Sequence, residues 1–348
     1  MKDSITKFIL LTLLATMPVA IYVAIYAARD PFHVVHPVGK DLNGRDSVMA
    51  GNNAGFLSVE TYLAHNDERH YDSFIFGSSM SQNYKASVWQ SHLDSTASIL
   101  HFDASSETLT GIINKMRFLN SHGTVIKNAM IVIEAHMLSK KPNENDILYI
   151  QHPATSGAEN WFRFHTLFFN AYRRLGLKTI LGNNLNVLNE EAVDGHYANR
   201  IEPINEKYYG YIDSLIAHDP SKFFTAERLK SRSHSLNPKQ LGYKVNGEVE
   251  ELLVTIKHIL DENKTNYIVI VPPCNAREHL HEHDLWEMKT IFGENKVHDF
   301  SGAPGYTLNE RLYYDSSGHL ISSECTKLLD SAYRVKPVSI LNPFYTLP

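Results

Sequence analysis

An unbroken apolar run near the N-terminus constrains this chain more than any other feature. From Phe8 to Ala28 there are 21 consecutive residues without a charge. At a rise of ~1.5 Å per residue, a helix of that length spans a hydrocarbon core of ~30 Å, and Pro18 is tolerable in it as a kink. Lys2 and Lys7 precede the run. The positive-inside rule therefore predicts a single-pass membrane protein with residues 1–7 as a cytoplasmic tail, residues 8–28 as the anchor and the body periplasmic or otherwise extracytoplasmic. A cleaved signal peptide is the competing reading, because Ala27 and Ala28 are small. Against it, the run exceeds the usual ~7–15 apolar residues and a clean Ala-x-Ala is missing. No cysteine stands near the end of the run, which argues against a lipoprotein.

Beyond the run, the composition is that of a globular protein. With 43% hydrophobic and 20% charged residues the chain can bury a core, which excludes intrinsic disorder and a polytopic membrane protein. A net charge of -5 implies no basic surface for nucleic acid. The 19 histidines would make the charge sensitive to mild acid if exposed, with compositional drift as the plain alternative. Cys274 and Cys325 both fall in the exported part, where a disulfide is permitted but not required. Neither has C-x-x-C or zinc-like spacing, so redox catalysis and a structural metal are not expected, and no cofactor is expected.

Four short runs punctuate the body. Asp72-Ser73-Phe74-Ile75-Phe76, Ile99-Leu100-His101-Phe102, Ala129-Met130-Ile131-Val132-Ile133 and Tyr267-Ile268-Val269-Ile270-Val271 read as strands. The last two are continuously apolar and β-branched, as in buried parallel strands. Between them, Leu109, Ile112, Ile113, Met116 and Leu119 recur at helical spacing, as do Val249, Leu252, Leu253, Ile256, Ile259 and Leu260. A helix is also expected after Gly77-Ser78-Ser79, and a terminal one over 322–334. Alternating strands and helices predict an α/β fold with a doubly wound parallel sheet, its active site at the carboxyl ends of the strands. The expected organisation is a stalk over 29–68 packing on the body, an α/β domain in two parts, 69–139 and 236–335, and a C-terminal tail over 336–348. Residues 140–235, rich in Asn, Tyr and Phe, read as an insertion over the site or as an ordinary surface excursion.

Two places carry chemistry. Gly77-Ser78-Ser79 ends the first strand, where a hydroxyl meets the N–H groups of the following turn, a donor set suited to an oxyanion. Near the C-terminus, Asp315-Ser316-Ser317-Gly318-His319 puts an acid and an imidazole on one loop, so that the Asp can orient the His toward a serine from another strand end. Each alone is a common arrangement.

Together, in this order and frame, they resemble the SGNH (GDSL-like) hydrolase superfamily, with its N-terminal Gly-Asp-Ser-like block and C-terminal Asp-x-x-His block. Phe74-Ile75-Phe76-Gly77-Ser78-Ser79 looks like the first block, with Ser78 in place of the Asp. That form is similar to membrane-anchored members of cell-envelope modification, such as the teichoic acid D-alanylation and alginate O-acetylation proteins. Val297-His298-Asp299-Phe300-Ser301, then Tyr314-Asp315 and His319-Leu320, look like that branch's C-terminal end. The resemblance spans roughly 70–135 and 240–335, leaving the anchor and insertion unmatched.

The resemblance implies a three-layer, flavodoxin-like sheet with a central insertion, preceded by one transmembrane helix. It implies Ser79 as nucleophile, with Ser78 as a substitute, and His319 as general base. Asp315 would orient that base, although the loop holds one residue more than Asp-x-x-His, which leaves Asp299 as a fallback. Ser105 and Ser106 stand where the second block supplies an oxyanion donor. The third block's Gly-x-Asn-Asp is absent, since Ile133-Glu134-Ala135-His136 follows the third strand, so one oxyanion donor is either lost or replaced, with His136 the candidate replacement. Losing one such donor costs ~10²–10³ in turnover, so a weakened hydrolase or a transferase fits.

The expected function is an extracytoplasmic esterase or O-acyltransferase acting on acyl esters, acetyl foremost, of a cell-envelope polysaccharide. The alternatives are a catalytically silent scaffold that binds glycan or assists an integral-membrane O-acyltransferase, and a structural envelope protein. His279, His281 and His283 read as a solvated helix face rather than a metal site. Trp161, Phe162, Phe164, Phe168 and Phe169 read as local core rather than a sugar platform. Arg173 and Arg174 read as a solvated helix end, with an anionic glycan or lipid headgroup as the other option. Tyr313 and Tyr314 are expected to pack beside the Asp/His loop.

Overall fold

Continuously apolar strands need cover on both faces, and the computed structural model provides it. It describes residues 2–30, 34–35, 54–139, 151–156, 161–174, 199–201, 203–231, 239–273, 278–307, 309–315 and 318–334. Strands β1 (Ser73–Gly77), β2 (Ile99–His101), β3 (Asn128–Val132), β6 (Asn266–Val271) and β7 (Val297–Asp299) form one five-stranded sheet in the order β2-β1-β3-β6-β7. Every pairing in it is parallel. β4 (Asn199–Ile201) and β5 (Glu206–Tyr208) form a separate antiparallel pair.

Side chains alternate across the sheet. Phe74, Phe76, Ile131, Val269 and Val271 enter one buried cluster, while Ile75, Met130, Val132, Ile268 and Ile270 enter another on the opposite face. The first face is covered by α2 (Ala54–Arg69), α4 (Leu109–Ser121), α7 (Gly247–Glu262) and α8 (Glu282–Phe292), through residues such as Tyr62, Ile112, Met116, Leu253, Ile256 and Met288. The second is covered by α3 (Ala86–Gln90) and α9 (Ser322–Arg334), through Trp89, Leu328 and Leu329. α4 starts where Thr108 caps it, its hydroxyl accepting from the Gly111 N–H at 3.1 Å. Cys325 is a free thiol at 0% exposure in the second cluster, and burial pushes its pKa up. Cys274 lies outside the described residues.

The stretch after β1 departs from expectation. Instead of a continuous helix there is a single 3-10 turn, Ser79–Ser81, and then the short α3. Gln82 and Asn83 spend their amides on distant partners, Asp103 and the Leu320 carbonyl, which draws the chain away from a helical path. Of the segment read as a stalk, residues 54–69 form α2, whose Val59 and Tyr62 are buried in the main core. The tail 336–348 lies outside the described residues.

α1 (Lys2–Arg29) is the one helix, among the described residues, long and apolar enough to cross a membrane. Most of its length is exposed, with Phe8 at 71% and Leu11 at 65%. Its last turns instead pack on α5 (Trp161–Arg174) in a cluster of Tyr26, Val34, Phe56, Phe164, Phe168 and Tyr172. From α5 onward the described chain returns to the body through β4, β5 and α6 (Gly210–His218). The β4–β5 turn caps the β2 edge, where the His101 N–H donates to the Ile204 carbonyl at 3.0 Å and the Asn205 amide to the His101 carbonyl at 2.8 Å. A covered edge presents no template for pairing with another chain.

Candidate active site

In an open parallel sheet the functional crevice lies where the strand order reverses, here between β1 and β3. β1 delivers Gly77 to that point. Gly77 has φ +153, and a Cβ there would stand 2.8 Å from the Val132 carbonyl oxygen, so only glycine fits. Ser78 follows as the cap of the 3-10 turn, 2% exposed, its hydroxyl accepting from the Met80 N–H at 3.2 Å. That leaves Ser79 as the first residue of the turn, partly exposed. Among the described residues, nothing accepts from the Ser79 backbone N–H.

The second element approaches from the C-terminal side. Tyr313 and Leu320 form an antiparallel bridge, and the Tyr314 N–H donates to the His319 carbonyl at 2.8 Å, closing the loop between them. Gly318, at φ +94, takes a conformation L side chains rarely adopt, and so accommodates a loop of this length. His319 Nδ1 lies 2.7 Å from Asp315 Oδ2, and the His319 N–H donates to Asp315 Oδ1 at 3.3 Å. His319 Nε2 lies 2.8 Å from Ser79 Oγ. With Nδ1–H donating to the carboxylate, Nε2 is left as acceptor for the serine hydroxyl. Burial would raise the pKa of Asp315, but the hydrogen bond and charge of His319 prevail, with help from Lys207, and hold it down at about 2.

Asp299 is elsewhere engaged, accepting from the Ser301 N–H at 2.8 Å. Asp315 is thus the acid paired with His319. A comparison with protein-family models and with curated proteins finds no match for this chain.

The loop after β2 carries Ser105, buried, and Ser106, partly exposed at φ +56. Its base is held by Asp103, fully buried, which receives both terminal nitrogens of Arg200 at 3.0 and 3.1 Å and the Gln82 amide at 2.7 Å. Burial would raise the pKa of Asp103, yet Arg200 holds it below the usual carboxylate range. Beneath the same loop, buried Lys115 donates to the Phe102 and Asp103 carbonyls at 3.1 and 2.7 Å and pairs with Glu107 at 2.8 Å. His136 sits in the 3-10 helix Ala135–Ser139 after β3, with its side chain outside the described residues.

Apart from Tyr314, which the sequence reading expects beside the Asp/His loop, several supporting residues carry no signal in the sequence. Asn83, 2% exposed, donates to the Leu320 carbonyl at 2.9 Å and so ties the serine turn to the His319 loop. Tyr314 donates its hydroxyl to Asp213 of α6, while its carbonyl accepts from Arg228 at 3.1 Å. Tyr209, Ile212, Phe223 and Phe224 pack with Tyr314 and Ile321, bracing the loop from outside the sheet domain. Their only foresign is the aromatic richness of that stretch. At the same carboxyl edge, between the starts of α4 and α7, a cleft of about 340 Å³ is lined by Thr108, Thr110, Tyr243, Lys244, Asn246 and Glu248, among others. The histidines of 279–283 do not share a helix face: His279 stands in the short strand Glu278–His279, half-buried, His281 caps α8, its Nδ1 accepting from the His283 N–H at 3.1 Å, and only His283 is helical. Among the described residues, no three His, Cys, Asp or Glu side chains are grouped to hold a metal.

Proposed function

We propose that this chain is an SGNH-like serine esterase or O-acyltransferase, held on the outer side of a membrane and acting on acyl esters of an envelope polysaccharide, acetyl foremost. The observation that carries the reading is the line Asp315–His319–Ser79, with contacts of 2.7 and 2.8 Å, at the switch point of a parallel sheet. In the proposed reaction, Ser79 Oγ attacks the ester carbonyl as His319 Nε2 takes its proton. The tetrahedral oxyanion is held by the Ser79 N–H and the Ser105–Ser106 loop. Collapse expels the sugar alkoxide, which takes the proton from His319, and leaves an acyl-Ser79. Water or a second sugar hydroxyl, deprotonated by His319, then accepts the acyl group and frees the serine. Asp315 stabilises the imidazolium formed in both steps.

One observation favours a silent scaffold that binds glycan or assists an integral-membrane O-acyltransferase. The chain leaves β3 as Ile133-Glu134-Ala135-His136, without the Asn that supplies an amide donor in the family's third block. Fluorophosphonate labelling of the detergent-solubilised full chain, with p-nitrophenyl acetate turnover in parallel, decides between the two. Labelling is expected in the wild type and in Ser78→Ala, and its loss in Ser79→Ala and His319→Ala. A folded wild type that neither labels nor turns over would give the scaffold reading the field.

A further inference from the structure

The β4–β5 pair sets two cations side by side. Arg200 and Lys207 stand directly opposite each other in its register, so both side chains leave from one face. Like charges in that position repel, and here both are buried, Arg200 at 6% and Lys207 at 1% exposure. Such an arrangement costs stability, and buried ionisable groups set against a specific charge partner cluster at functional sites.

The two charges go to different halves of the site. Arg200 holds Asp103 under the loop after β2. Lys207 turns to the His319 loop. Its Nζ stands 5.0 Å from the centre of the Tyr209 ring, and that ring lies 4.9 Å from the ring of Tyr314, the residue before Asp315. The Lys85 ammonium donates to the Lys207 carbonyl at 2.8 Å, which fixes the backbone from which the side chain leaves. Burial works against the charge of Asp315, and His319, then Lys207, outweigh it. The other ionisable groups around the loop face partners of their own. Asp213 accepts from the Tyr314 hydroxyl, and Arg228 donates to the Tyr314 carbonyl at 3.1 Å. Glu206 faces Lys85 at 3.6 Å and His101 at 3.9 Å, and Glu324 pairs with Lys327 at 2.6 Å.

We propose that Lys207 acts through Asp315 as a positioning residue, its cation competing with the His319 imidazolium for one carboxylate and so keeping His319 available as a base at lower pH than the Asp315–His319 pair alone would. A carboxylate beside an imidazole favours the protonated ring. A cation facing the same carboxylate offsets part of that preference, and the more so where water is excluded. The inference rests on the reading of Ser79 as a nucleophile served by His319. It gives β4 and β5 one charge for each of the two loops that flank Ser79.

The test follows the rate of fluorophosphonate labelling of the detergent-solubilised full chain across pH. The reagent captures Ser79 only while His319 can take the hydroxyl proton, so the acid limb of the rate marks the loss of that base. Lys207→Met fills similar space without the charge, and Lys207→Arg keeps the charge. The acid limb of Lys207→Met is expected about 0.5–1 pH unit above that of wild type, as one charge felt across several ångströms of protein gives, with Lys207→Arg near wild type. A residue that only packs would change the rate at every pH and leave the limb in place. That result would overturn the proposal, as would an equal shift in both variants. If Lys207→Met does not fold, Lys207→Gln carries the same comparison. A wild type that does not label removes the Ser79 reading and this inference with it, whereas a labelling wild type with an unmoved limb in Lys207→Met sinks the inference alone.

Discussion

The shared loop makes Asp315 and His319 a local pair, while Ser79 joins them from 240 residues away. The carboxylate's work in such a line is to fix the imidazole tautomer and balance its charge. Asp315→Asn is therefore expected to cut turnover by about 10⁴ without unfolding the protein, and Asp299→Asn to leave it near wild type, read as kcat on an activated acetyl ester. A carboxyl held down at about 2 binds its proton less readily when folded than unfolded. Its contribution is thus full above the ordinary carboxyl range near pH 4 and disappears as pH falls through about 2. Urea titrations across that window should show wild type losing stability more steeply than Asp315→Asn. The three residues were legible because a small-residue turn after a strand and an Asp/His loop each have a chemical pattern. Asn83, Asp103, Lys115 and Arg200 were not, since nothing local distinguishes a polar side chain that will be buried from one that will be solvated.

Among elements, β1, β3 and β6 were legible for one physical reason: burial on both faces demands unbroken apolar runs. β7 and the strands of the β4–β5 pair have three residues each and, unlike the equally short β2, carry no apolar run that marks them as strands. That pair nonetheless governs the loop after β2. Arg200 leaves β4 to form a bidentate pair with Asp103, the two side chains 6% and 0% exposed. Removing one member strands a buried charge, so Arg200→Met is expected to destabilise by about 3–5 kcal/mol. Asp103→Leu combined with Arg200→Met should recover most of that, because two apolar side chains then fill the space. Urea denaturation of the two variants measures the difference. The same logic explains the missing helix after β1, where the tertiary bonds of Gln82 and Asn83 outweigh helix propensity.

For the molecule as a whole, the sequence expectations about the anchor concern topology. With Lys2 and Lys7 retained inside, an alkaline phosphatase domain fused after Pro348 is expected to be active, and moving the basic residues to the far side of the run should reduce that activity. If the body lies on the outer side as proposed, the fully buried Cys325 has a significance beyond packing. Once α9 has docked, its thiol is shielded and held protonated, out of reach of the thiolate chemistry that oxidants and exchange partners require. Before docking, on that proposed topology, it would be an ordinary nucleophile emerging into an oxidising space, with Cys274 fifty-one residues upstream in the same chain. Maturation then becomes a race between the closing of the last helix and covalent capture, and the yield of usable protein should follow the speed of that final folding step.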